Sequence, residues 1–169
     1  MNSVQMHLAL THVPVILSLV GLITLVIAFF IKNSIITKTS YILILVAGIA
    51  ALPVFFTGED TEEAIENLPG VSEAVIGRHE EVAKLAMMSI AAAGLAALVA
   101  LFSFRWKIAA RIFKVVIVLL AITSGGLLAQ TAHLGGQIRH TEIRSGVVLQ
   151  NNSENAEKSE DNAGQQEKD

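Results

Sequence analysis

The chain has 169 residues, of which 53% are hydrophobic, with no cysteine and a net charge of −3. Its mean hydropathy of +0.59 lies far from that of an average soluble domain and fits an integral membrane protein. The lack of cysteine excludes disulfides, iron–sulfur clusters, thiolate metal sites, thiol nucleophiles and covalent haem attachment through Cys-x-x-Cys-His.

Four apolar spans are predicted in chain order. The first covers 8–31 and is about 36 Å long as a helix, enough to cross the hydrocarbon core. No Lys or Arg precedes it and no cleavage site follows it, so it is expected to be retained rather than removed as a signal peptide. Pro14 is expected in its first turn, where proline is tolerated. The second span covers 35–56 and begins with a polar stretch, Thr37 to Ser40. Thr57-Gly58-Glu59 follows, read as a helix C-cap at Gly58 leading into a solvated acidic loop. The alternative is that Glu59 orients a ligand histidine through its second ring nitrogen. The third span covers 79–104, opening at His79, with Lys84 expected to snorkel or to pair with Glu80 or Glu81. The fourth covers 108–132. Beyond residue 148 the chain changes character: SENAEKSEDNAGQQEKD at 153–169 is polar and charged, and 149–169 is predicted to be a disordered tail on a domain of residues 1–148. The expected fold is an all-α, integral membrane, up-down four-helix bundle.

Charge sets the expected orientation. Lys32, Lys38, Arg105, Lys107, Arg111 and Lys114 occupy the two short loops at one end, without a single acid. Glu59, Asp60, Glu62, Glu63, Glu66, Glu73, Glu80 and Glu81 gather at the other end. The positive-inside rule puts the basic loops in the cytoplasm and both termini outside, as in a bacterial inner-membrane protein. Trp106 sits among the basic residues as an interface anchor, and nothing in the sequence suggests nucleic-acid binding.

All five histidines, His7, His12, His79, His133 and His140, then fall at the outer end. Histidine is costly in a bilayer, so a shared layer of imidazoles implies a shared task. His7 and His12 are five residues apart and point to different sides of a regular helix. His12 is expected to be buried, about a turn and a half deeper than His7. His133 and His140 share a face if the helix continues, unless Gly135 and Gly136 bend it. Ala129 and Gly126 make a smooth stripe beneath His133, suited either to close helix packing or to a flat macrocycle. Ala83 and Ala86 do the same beneath His79.

Three segments carry a resemblance: MHLALTHVPV at 6–15, RHEE at 78–81 and AHLGGQIRHTE at 132–142. Together they resemble an uncharacterised, histidine-rich, four-helix bacterial membrane-domain family. Its members show a His-x4-His-x-Pro start, a histidine opening the third helix and a His-x-Gly-Gly-x-Leu-x-His ending, and are often fused to Rieske or cytochrome c modules. The resemblance covers most of residues 6–145. It implies a b-type cytochrome, with His7, His12, His79, His133 and His140 as candidate ligands and Gly135 and Gly136 shaping the last turn. Ile138 stands where leucine is usual, and no redox module is fused, so an electron partner would be a separate protein.

Three functions follow as expectations. The first is electron transfer through one or two b haems, each held by two histidines from different helices, with the acidic outer face docking a basic periplasmic protein such as a cytochrome c. The second is a copper or zinc protein without haem, with Met1 and Met6 beside His7 favouring copper. The third is a transporter or assembly subunit, although no inverted repeat supports transport. In the first two the chain is not a stand-alone enzyme.

Overall fold

The computed structural model describes residues 3–144. Four helices run up and down: α1 (Ser3–Ile31), α2 (Ser34–Ile65), α3 (Glu73–Phe102) and α4 (Lys107–Arg139). Each contains a window long and apolar enough to cross a membrane. Short 3₁₀ turns at Ser103–Arg105 and Thr141–Ile143 follow α3 and α4. Consecutive helices pack closely, whereas α1 and α4 touch far less. The predicted tail, 149–169, lies outside the described residues.

The inward face of each helix is set by a repeat of alternating three and four residues. On α1, Pro14, Ser18, Gly21, Leu25 and Ala28 are buried. On α3, Ile76, Ala86, Ile90, Ala93, Ala97 and Ala100 are buried. This period of about 3.5 residues belongs to nearly antiparallel bundle helices, whose side chains interlock along a narrow stripe. Large apolar residues cover the outside instead: Phe30 is 77% exposed, Phe102 79% and Ile108 77%. Such a surface is at home in hydrocarbon and not in water.

Lipid tails are as apolar as leucine, so packing at small residues rather than hydrophobic burial holds such helices together. Gly48 and Gly94 bring α2 and α3 together at backbone distance. A Cβ on Gly48 would stand 3.1 Å from the Ile90 carbonyl oxygen and 3.5 Å from the Gly94 Cα. Toward the basic end the stripe broadens into a cluster of Leu25, Tyr41, Ile44, Ala97 and Ile117. There the Tyr41 and Phe104 rings lie 6.1 Å apart, and Lys38 Nζ sits 5.0 Å over Phe104.

The connections are capped locally. Lys32 takes φ 55 to end α1. Asn33 Oδ1 then accepts from Ile35 N–H at 2.8 Å and Ile36 N–H at 3.3 Å, starting α2. At the acidic end, Arg144 folds back to donate to the carbonyls of Gln137 at 2.8 Å, Ile138 at 3.0 Å and Gly70 at 3.0 Å. One guanidinium therefore caps α4 and ties it to the α2–α3 loop, where Gly70 takes φ 80.

Several predicted boundaries move outward. Because α1 starts at Ser3, Pro14 is not in the first turn but buried in the helix interior. Its missing N–H leaves the Leu10 carbonyl without its usual helical donor. Gly58 is not a C-cap: α2 passes through it to Ile65. The Thr57 and Thr61 hydroxyls bond back into the preceding turn, to Pro53 and Thr57 carbonyls, each at 2.8 Å. Without a strong breaker before Asn67-Leu68-Pro69-Gly70, the helix continues into its acidic segment. His79 lies in the second turn of α3 rather than opening it, and α4 runs unbroken through Gly135 and Gly136.

Gly48→Leu is expected to force α2 and α3 apart and to cost about 1–3 kcal/mol, the usual range for overpacking a tight contact. Thermal unfolding of the detergent-solubilised protein measures this, with Leu95→Ala on the lipid-facing side as the near-neutral comparison.

Candidate functional site

His7 and His79 lie on the inward stripes just described. On α1 the repeat runs outward from Pro14 through Thr11 to His7, and on α3 from Ala86 through Ala83 to His79. Both imidazoles are partly buried at the acid-rich end of the bundle, and they are close enough for the charge of one to act on the other.

The two rings are held in the same way. His7 Nδ1 lies 3.0 Å from the Val54 carbonyl oxygen on α2. His79 Nδ1 lies 3.0 Å from the Thr131 carbonyl oxygen on α4. A carbonyl only accepts, so each Nδ1 carries the proton and each Nε2 keeps its lone pair. Thr57 supports His7 further: its hydroxyl donates to the Pro53 carbonyl and offers a lone pair to Nδ1 at 3.2 Å. Among the described residues, neither Nε2 has a hydrogen-bond partner.

A glycine stands beside the ring one turn beyond each acceptor carbonyl. Gly58 follows Val54 by four residues, and a Cβ there would stand 3.5 Å from His7 Cε1. Gly135 follows Thr131 by four, and a Cβ there would stand 3.2 Å from His79 Cε1. At Gly135 that approach is tighter than side chains normally accept. The α1–α2 and α3–α4 hairpins therefore repeat one device: a ring on the first helix, and a carbonyl and a glycine on the second.

The other three histidines stand apart. His12 is exposed, not buried as expected, because it sits two residues off the α1 stripe and so on the opposite side of the helix. Its Nδ1 bonds to the Leu8 carbonyl of its own helix at 2.9 Å. His133 is exposed for the same reason, two residues off the position of Thr131, and its Nε2 accepts from the Gln137 amide at 3.0 Å. His140 caps α4, and its Nδ1 lies 2.8 Å from Glu142 Oε1. The backbone N–H of Glu142 and then His140 hold that carboxyl below the usual carboxylate range.

The small stripe beneath His133 does not serve packing within the chain. A Cβ on Gly125 or Gly126 would meet nothing within 4 Å. Glu59 is exposed, and Thr57 and the Val54 carbonyl take the orienting role considered for it. Lys84 pairs with Glu80 at 2.7 Å, one of the two partners expected for it. Among the described residues, no group of three or more His, Cys, Asp or Glu side chains converges as a metal site.

Val54, Thr57 and Thr131 were not singled out from the sequence. Every residue offers a carbonyl, so composition carries no trace of which one accepts a ring N–H. The stripe register was available: His7 and His79 both continue the buried small-residue repeat of their helices, whereas His12 does not.

No family model, no curated protein and no solved structure matches this chain.

Nitrogen-15 spectra of histidine-labelled protein at mildly alkaline pH are expected to show His7 and His79 as Nδ1-protonated tautomers. An Nε2-protonated signal for either ring would contradict the bonding described.

Proposed function

We propose that the protein is a membrane-embedded b-type cytochrome that transfers electrons, and that His7 and His79 are the residues that would hold its haem. The observation that carries the reading is the matched state of the two rings. Each has Nδ1 tied to a carbonyl of the neighbouring helix and Nε2 left free. That second-shell bond fixes the tautomer, orients the ring and raises the basicity of the ligating nitrogen.

The residues fit haem better than a bare ion. Structural zinc sites take four protein ligands and catalytic zinc sites at least three, whereas here two imidazoles lie within reach of each other's charge and, among the described residues, no third His, Cys, Asp or Glu joins them. Haem supplies four equatorial nitrogens of its own and asks the protein for one or two axial ligands. When bound, it supplies an iron that takes up and releases one electron. The chain's part is to hold two imidazoles by their Nδ1 atoms with Nε2 free; if both held a haem iron, no site would remain open on it, which would favour electron transfer over oxygen chemistry. Gly135 keeps the space beside the His79 ring clear of a side chain.

The setting suits a soluble partner. Glu62 stands among Glu80, Glu66, Glu59 and Lys84 at the same end as the two rings. In the orientation given by the basic loops this rim faces the periplasm of a bacterial inner membrane, with both termini on that side. A basic redox protein of the cytochrome c kind fits such a surface and would bind in a salt-sensitive way.

Protein purified from haem-sufficient cells and reduced with dithionite is expected to show a b-type spectrum. His7→Ala and His79→Ala should each abolish it, while His12→Ala, His133→Ala and His140→Ala retain it. Gly135→Val presses on His79 without removing it, and should shift the spectrum or weaken haem retention in a protein that still unfolds cooperatively. A full spectrum in both His7→Ala and His79→Ala would sink the assignment.

A further inference from the structure

The seam between α1 and α4 is the loosest in the bundle. At its basic end it opens into a groove of about 250 Å³, lined by Val26, Phe29, Phe30, Val118 and Leu119, with Lys114 along the wall. Phe30 is 77% exposed and Leu119 is 61% exposed, so the groove opens onto the lipid-facing surface. It lies on the other end of the helices from His7 and His79.

The charge around this groove is of one sign. Lys32 directly follows α1, and Arg111 precedes Lys114 by one turn of α4. No Asp or Glu occurs anywhere in residues 1–58 or 82–141, so these cations have no carboxylate on their own helices at this end. Among the described residues, ion pairs form only at the acidic end, Lys84 with Glu80 and His140 with Glu142. Lys38 differs from Lys114 in having a partner, the face of Phe104.

We propose that this groove is a binding site for an anionic phospholipid, with one acyl chain between α1 and α4 and the phosphate on Lys114. The apolar wall recognises the chain, and the lysine stem extends it before the ammonium reaches the headgroup level. Lysine binds phosphate as a point charge and needs no second residue in fixed geometry. A helix from another protein laid in the same groove would bury the Lys114 ammonium, which only a supplied acid could offset. A lipid brings its own anion and already bathes the opening. The occupied groove fills the one seam that the chain's own side chains leave loose. This inference is independent of the haem reading.

The test is native mass spectrometry of the purified full chain in detergent, titrated with phosphatidylglycerol or with phosphatidylcholine of the same acyl composition. The wild type is expected to retain one phosphatidylglycerol in about fivefold preference, the ratio given by the ~1 kcal/mol that one lysine contributes beside an anionic lipid. Lys114→Gln should erase the preference, and Val118→Trp, which fills the groove, should lose the retained lipid. Lys38→Gln should change neither. Equal retention of the two lipids by the wild type would overturn the proposal. So would a preference that survives Lys114→Gln, or one that Lys38→Gln lowers as much.

Discussion

The backbone contact between Gly48 and Gly94 sets the spacing on which the rest of the bundle depends. In hydrocarbon a helix gains little by hiding leucine from its surroundings, and association comes from close van der Waals contact. Two glycines facing one another let α2 and α3 approach until the Ile90 carbonyl nearly touches the opposing helix. With that central pair fixed, α1 packs on α2 through Gly21 and α4 packs on α3 through the Ser89–Ser124 hydroxyl bond at 3.0 Å. The outer pair meets less closely, chiefly where Leu25 packs with Ile117 and Ala121, so the α1–α4 seam is left the loosest.

Close packing of α1 on α2 and of α3 on α4 creates the histidine arrangement. A ring N–H reaches the carbonyl of a neighbouring helix only where no side chain intervenes; Gly135 provides that gap at His79, while at His7 a Cβ on Gly58 would make only an ordinary contact. Those carbonyls already belong to helical turns, and an oxygen has two lone pairs to offer. The imidazoles are therefore anchored without disturbing either helix. Each is left with one unused nitrogen, at the end of the molecule where the helices extend into their acidic segments. The chemistry proposed for the protein depends on that unused pair, and the remaining histidines are engaged on their own helix or just beyond its end.

The two ends of the bundle divide the work by charge. Acids rim the end that holds the histidines, and unopposed cations rim the other. The division is the basis of the orientation expected from the positive-inside bias, and the two contacts proposed for the protein lie at opposite ends. The acidic end also holds cations: Lys84 pairs with Glu80, and Arg144 is consumed in capping α4 and holding the Gly70 loop.

Span number, the all-helical class, the polarity of the two ends and the placing of five histidines at one of them are properties of the sequence itself, because hydropathy and charge act residue by residue. The extent of the helices was less legible, since Gly58, Gly135 and Gly136 look like breakers in a string of letters and become close-approach points once another helix lies against them. The alternating three-and-four spacing of small residues could have marked His7 and His79 as inward and His12 as outward, but a first span begun at residue 8 puts His12 in the interior, where the structure does not. Which carbonyl receives each ring was invisible, because a backbone oxygen has no identity in a sequence. Only the packing of α1 on α2 and of α3 on α4 brings Val54 to His7 and Thr131 to His79 across some fifty residues of chain, and the loose seam exists only because the remaining pair of helices does not close.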